Sequence, residues 1–163
     1  MTHRTALMIT GAIAAIFSLA NVSVSEDRQC VPAALHGATV FIPVYSHISH
    51  GDRLRPFNLA LTVSLRNTDA ENPVTITKAE YYNEKGKLIR NLIPGALALL
   101  PLHSFEYRVK ESDVAGGSGG SVIVKWTSER PASPLLAESI MIGTSSAQGI
   151  SFTSEGRITS FEP

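Results

Sequence analysis

Leu59, Leu61, Val63 and Leu65 alternate with Ala60, Thr62, Ser64 and Arg66, and this strict period of two over Phe57 to Arg66 constrains the fold most. Successive side chains change face only in an extended chain, so the run predicts a strand with one face buried and one in water. Similar runs recur at short intervals. Thr39 to Tyr45 is β-rich but holds Pro43, which cannot donate to a ladder, so this strand is expected at an edge or with a bulge. Val74 to Tyr82 and Leu88 to Leu92 flank Asn83-Glu84-Lys85-Gly86-Lys87, which reads as a hairpin turn. Phe105, Tyr107 and Val109 share one face of Ser104–Val109. Further strands are predicted over Ser121–Trp126, Leu135–Gly143 and Gly149–Thr153. No amphipathic helix of ten residues competes. About eight strands with short turns predict an all-β protein, an antiparallel β-sandwich of immunoglobulin-like general shape, with a small β-barrel as the alternative. The Cys–Trp–Cys signature of antibody domains is absent, so only the architecture is expected.

The 163 residues are 44% hydrophobic, enough for a packed core. With 14 basic and 14 acidic side chains the net charge is zero, which argues against a nucleic-acid binder. Cys30 is the only cysteine, so no internal disulfide is possible. Residues 1–25 set Arg4 before an uncharged stretch from Thr5 to Ala20 and end in Ser23 and Ser25. That is the pattern of a cleaved secretory signal, and the apolar stretch is short for a membrane span. Asp27, Arg28 and Gln29 precede Cys30, where a lipobox wants leucine and small residues. The expected organisation is a signal over 1–25, an extended leader over 26–37 and one sandwich domain over 38–163. Location is then periplasmic or secreted, with membrane contact only if the N-terminal segment is retained.

The richest polar cluster runs from Tyr45 to Pro56 and offers Tyr45, His47, His50, Asp52, Arg53 and Arg55 as candidate ligand-binding residues. His47 and His50 could share a metal ion on a helical turn or tight loop, with Asp52 as a third group and His36 or His103 as a fourth. On an extended strand the two histidines would face opposite ways. Gly51-Asp52 is also ordinary turn chemistry. Arg53, Arg55 and Arg157 have the guanidinium forks that suit anions. A blue-copper site fails, because no cysteine lies near Met141.

Gly116-Gly117-Ser118-Gly119-Gly120 matches G-x-S-x-G formally. A nucleophile elbow needs a strand before the serine and a helix after it, and here a β-run follows. A flexible loop or bulge fits better, with an anion-binding nest as the other possibility. Trp126 and Phe152 read as core. Gln148 to Phe152 reads as a bend into a terminal strand, or as the rim of a groove.

Tyr45-Ser46-His47-Ile48, Gly51-Asp52, Arg55-Pro56-Phe57-Asn58-Leu59 and Arg66-Asn67-Thr68-Asp69 resemble a bacterial exported family catalogued as domain of unknown function 3124. Gly116-Gly117-Ser118-Gly119, Val124-Lys125-Trp126, Met141-Ile142-Gly143-Thr144 and Gly149-Ile150-Ser151-Phe152 extend the resemblance over Ala38 to Ile158. It implies a small exported protein, often anchored or lipidated, with no established activity and no catalytic residues to carry over.

No nucleophile–base pair stands in a credible setting, and no cofactor is expected. The leading expectation is therefore a non-catalytic binding module of the cell envelope. Its partner would be another envelope protein, paired along the Val40–Tyr45 edge, or a small ligand. The alternative is a metal-binding protein or metalloenzyme using His47, His50 and Asp52. A third is a structural subunit with a large apolar surface patch.

Overall fold

The computed structural model describes residues 33–52, 54–145 and 148–162. The expected signal segment, Cys30 and Arg53 lie outside the described residues. The described residues form twelve strands and no helix. They are β1 (Leu35–Val44), β2 (His47–His50), β3 (Arg55–Asn58), β4 (Ala60–Arg66), β5 (Val74–Tyr82) and β6 (Leu88–Asn91). The chain continues through β7 (Leu97–Leu99), β8 (Ser104–Val109), β9 (Gly120–Ala132), β10 (Leu136–Ser145), β11 (Gln148–Glu155) and β12 (Arg157–Glu162).

The strands form two antiparallel open sheets, a sandwich rather than a closed barrel. One has the order β12-β1-β9-β5, with β6 and β7 sharing the outer edge of β5. The other has the order β11-β10-β4-β8. Between them lie Val40, Ile42, Leu61, Val63, Leu65, Ile76, Tyr81, Val124, Trp126 and Met141, each at most 1% exposed. The alternation that predicted β4 holds: Leu61, Val63 and Leu65 are buried. Its start differs, because the chain bends at Leu59, whose N–H donates to the Ser46 carbonyl at 3.0 Å. Residues 57 and 58, expected at the start of that strand, therefore belong to a separate small hairpin, β2–β3. Trp126 is core, while Phe152 is only half-buried. The strand β1 begins at Leu35, so the last residues of the expected leader belong to the fold.

The expected edge over Val40–Tyr45 is corrected. β1 lies between β9 and β12, and Val40 and Phe41 pair with both. β12 begins opposite Phe41, where the chain arrives through Gly156 from the other sheet, so Ile42 to Val44 pair with β9 alone. Pro43 sits in that one-sided stretch, where its missing N–H costs no ladder bond. Its carbonyl accepts from the buried Ser139 hydroxyl at 2.6 Å, a bond from β10 that ties the two sheets. A register shift between Thr39 and Val40 supplies the bulge that Pro43 suggested nearby.

The glycine-rich segment is pinned. Glu84 N–H donates to Gly116 O at 3.1 Å, and Ser46 donates both its N–H and its hydroxyl to Gly117 O at 3.0 Å. The Tyr81 hydroxyl packs on Gly116 so closely that a Cβ there would lie 1.9 Å from it. Ser118 is exposed and leads into β9, so the segment is a structural turn and no nucleophile elbow.

Candidate functional site

The hairpin β2–β3 folds over one end of the sandwich. Its register pairs His47 with Asn58, Ile48 with Phe57, Ser49 with Pro56 and His50 with Arg55. Cross-strand partners share a face, so Ile48, His50, Arg55 and Phe57 project to one side and His47 and Ser49 to the other. Ser46 roots the hairpin: it accepts from Leu59 on one side and donates to Gly117 on the other. Opposite the hairpin stand the ends of β10 and β11. A Cβ on Gly143 would lie 2.4 Å from the Phe57 ring and 2.6 Å from Asn58 O, so the hairpin seats directly on that glycine.

Between the hairpin and β11 opens a cleft of about 380 Å³ lined by Ile48, His50, Phe57, Gly149 and Ile150. The His50 ring stands edge-on to Phe57 at 5.8 Å between centroids. Beside the cleft, Tyr45 meets Phe152 edge-on at 5.7 Å and braces the end of β1 against β11. Ile150 remains 39% exposed. Arg55 is exposed across from His50, on the hairpin face that carries the cleft residues, while Asp52 is exposed in the hairpin turn. The site is thus three apolar walls and one imidazole, with Arg55 on the same face of the hairpin. Such a surface desolvates an apolar group and leaves a polar end outside.

Of the predicted residues, the structure brings His50 to the cleft, Arg55 to its face and Tyr45 to its flank. Arg53 lies outside the described residues. His47 and His50 do not share a face, because the segment is a strand and three residues span an odd number of alternations. His36 stands near the other end of β1, about 30 Å away at strand rise. His103 precedes β8 at that same far end, beside Asn67. Among the described residues no group of three or more His, Cys, Asp or Glu side chains could hold a metal ion. Sequence reasoning missed Ile48, Phe57 and Gly143. Their signal was an apolar side chain inside a polar run, which becomes meaningful only once β2 and β3 are paired. The groove-rim reading of Gln148 to Phe152 was the nearest cue.

The densest polar network is elsewhere, at the opposite end of β4. The buried Asn67 amide donates to Asn72 O, Leu99 O and Leu100 O at 2.9, 3.2 and 3.1 Å, and its oxygen accepts from Asp69 N–H. Asp69 accepts from the backbone N–H groups of Ser133, Asn72 and Glu71. These bonds, Ser133 first, hold its carboxyl at about 2, against an ordinary value of 3.8. The side chains of Asn67 and Asp69 bond mainly to loop backbone, so the network is a clamp on loops. On β5, Glu80 accepts from Lys78 at 2.7 Å and from the Tyr82 hydroxyl, and the Lys78 bond is the main reason its carboxyl is lowered.

A family model described as "Protein of unknown function (DUF3124)" matches residues 37–159. No curated protein matches this chain. Among solved structures, the chain is similar to the crystal structure of Thermotoga maritima 1070, with 13% identity and a TM-score of 0.45. That match covers 74% of this chain and 92% of the other.

Proposed function

We propose that this chain, which belongs to the DUF3124 family of proteins of unknown function, is an exported binding module that takes a small amphiphile in the hairpin cleft. The ligand class is an apolar chain or ring with an anionic end. The observation that carries this reading is the open apolar cleft itself, walled by Ile48, Phe57 and Ile150 with Arg55 on its face. Burying a ligand's apolar carbons there would release water from side chains that the fold leaves partly wet, at roughly 25 cal/mol per Å². Arg55 would favour a carboxylate or phosphate at the mouth. The signal-like residues 1–25 support export to the periplasm or beyond. The absence of a nucleophile–base pair in a credible setting favours binding over catalysis.

The test is calorimetric titration with decanoate below its micelle concentration, with decanol as the uncharged control. The parent should bind both and prefer decanoate. Ile150→Asp should abolish binding, because it places a carboxylate in the apolar wall. Arg55→Gln should weaken decanoate by about two- to fivefold, the range of an exposed ion pair, and leave decanol unchanged. Absence of binding by the parent, or binding that Ile150→Asp leaves intact, would overturn the reading.

A further inference from the structure

Sheets end in edges, and an edge with unpaired N–H and C=O groups is a template for another strand unless something blunts it. Most edges of this sandwich are blunted. β6 and β7 are four and three residues long, and the pairing of β6 shifts register at Tyr81/Tyr82. β12 pairs with β1 across a register shift. β11 keeps an unbroken register with β10, but it bends at Gly156 into β12 and lies against β1. β8 differs. Its six residues hold an unbroken register with β4, without proline or bulge. Among the described residues no backbone hydrogen bond reaches it from its outer side.

Charge on an edge strand normally repels a second copy, but the charges of β8 are of both signs and two residues apart. Glu106 and Arg108 lie on the outer face at 3.3 Å, with side chains 45% and 79% exposed. Placed antiparallel about a two-fold axis at Tyr107, two β8 strands would set Glu106 of each copy opposite Arg108 of the other. Phe105 would then face Val109, and Ser104 would face Lys110. The same axis brings the start of one β8, preceded by exposed Leu100 and Leu102, beside the end of the other, followed by exposed Val114.

From this self-complementarity we infer that β8 is a homodimer interface, through which two copies join into one continuous sheet of eight strands. Each copy supplies the four-stranded sheet β11-β10-β4-β8. The contact is isologous and therefore closes at two copies. It leaves the hairpin cleft free, because the cleft lies between β11 and the hairpin while β8 is at the other edge of that sheet.

Sedimentation equilibrium of the purified protein tests this, under reducing conditions so that Cys30 cannot link copies. The parent should show a reversible dimer. Glu106→Arg and Arg108→Glu should each weaken it by at least about tenfold, since each change turns two attractive cross-strand pairs into repulsive ones. The double swap Glu106→Arg/Arg108→Glu should restore dimerisation, which a misfolded variant could not do. A parent that stays monomeric at its highest soluble concentration would overturn the inference. So would a dimer insensitive to either reversal, or a swap that fails to restore it.

Discussion

At the scale of single residues, the fold depends on a few positions where atoms meet with no slack. Gly116 is one: its neighbour is the hydroxyl of Tyr81, which is fully buried and makes no well-formed hydrogen bond among the described residues. Burial, and then the nearby Asp113 carboxylate, push the Tyr81 phenol up from its ordinary value. Gly116→Ala should therefore cost about 1–3 kcal/mol of stability in urea unfolding, as overpacking does. Tyr81→Phe should change stability by less than about 1 kcal/mol, because it removes an unsatisfied polar atom and little volume. Asn67 is the opposite case. Asn67→Ala strands several loop carbonyls at once and should cost at least about 2 kcal/mol. Asp69 gives the clamp a pH signature. Its carboxyl is lowered in the folded chain, so its contribution is complete above the unfolded value of 3.8 and fades as pH falls toward about 2. Asp69→Asn should be less stable than the parent at neutral pH, and the gap in melting temperature should narrow between pH 4 and pH 2. None of these partners was legible from spacing. Asn67 and Asp69 stand in a polar turn-like stretch, and their roles depend on Leu99, Leu100 and Ser133, which only tertiary folding brings near.

At the scale of elements, legibility followed periodicity. β4, β5, β8 and the middle of β9 could be read because alternate residues face a core, and period two survives any detail of pairing. β2 and β3 could not. Each has four residues, and of these only Ile48 and Phe57 are apolar, so neither run carries a period by itself. Pro43 predicted an edge or a bulge, yet it stands in an interior strand, because the pairing with β12 stops two residues short of it. Ser139 completes that arrangement. Ser139→Ala should cost about 1–2 kcal/mol by leaving the part-buried Pro43 carbonyl without this donor. Gly143 controls the hairpin in the same physical way. Gly143→Ala places a methyl into Phe57 and the Asn58 backbone, so β2–β3 must lift. The expected outcome is a chain that still folds, with altered amide shifts confined to the hairpin and β11 and with decanoate affinity lowered at least about tenfold.

At the scale of the molecule, the two ends of the sandwich do different work. One end is closed by hydrogen bonds around Asn67 and Asp69, directed at loop backbone, which fix the loops. The other carries a two-stranded hairpin resting on Gly143, and there the apolar interior reaches the surface at Ile48, Phe57 and Ile150. The sandwich architecture was legible in the spacing of the strands. Which end would be open was not, because that depends on where a short polar hairpin lands. The measurement that tests this division most directly is amide chemical-shift mapping of the protein titrated with decanoate. Saturable shifts at Ile48, His50, Phe57, Gly149 and Ile150, with Asn67, Asp69 and β8 unmoved, are the predicted result. Shifts centred on any other part of the surface, or no saturable shifts at all, would contradict it.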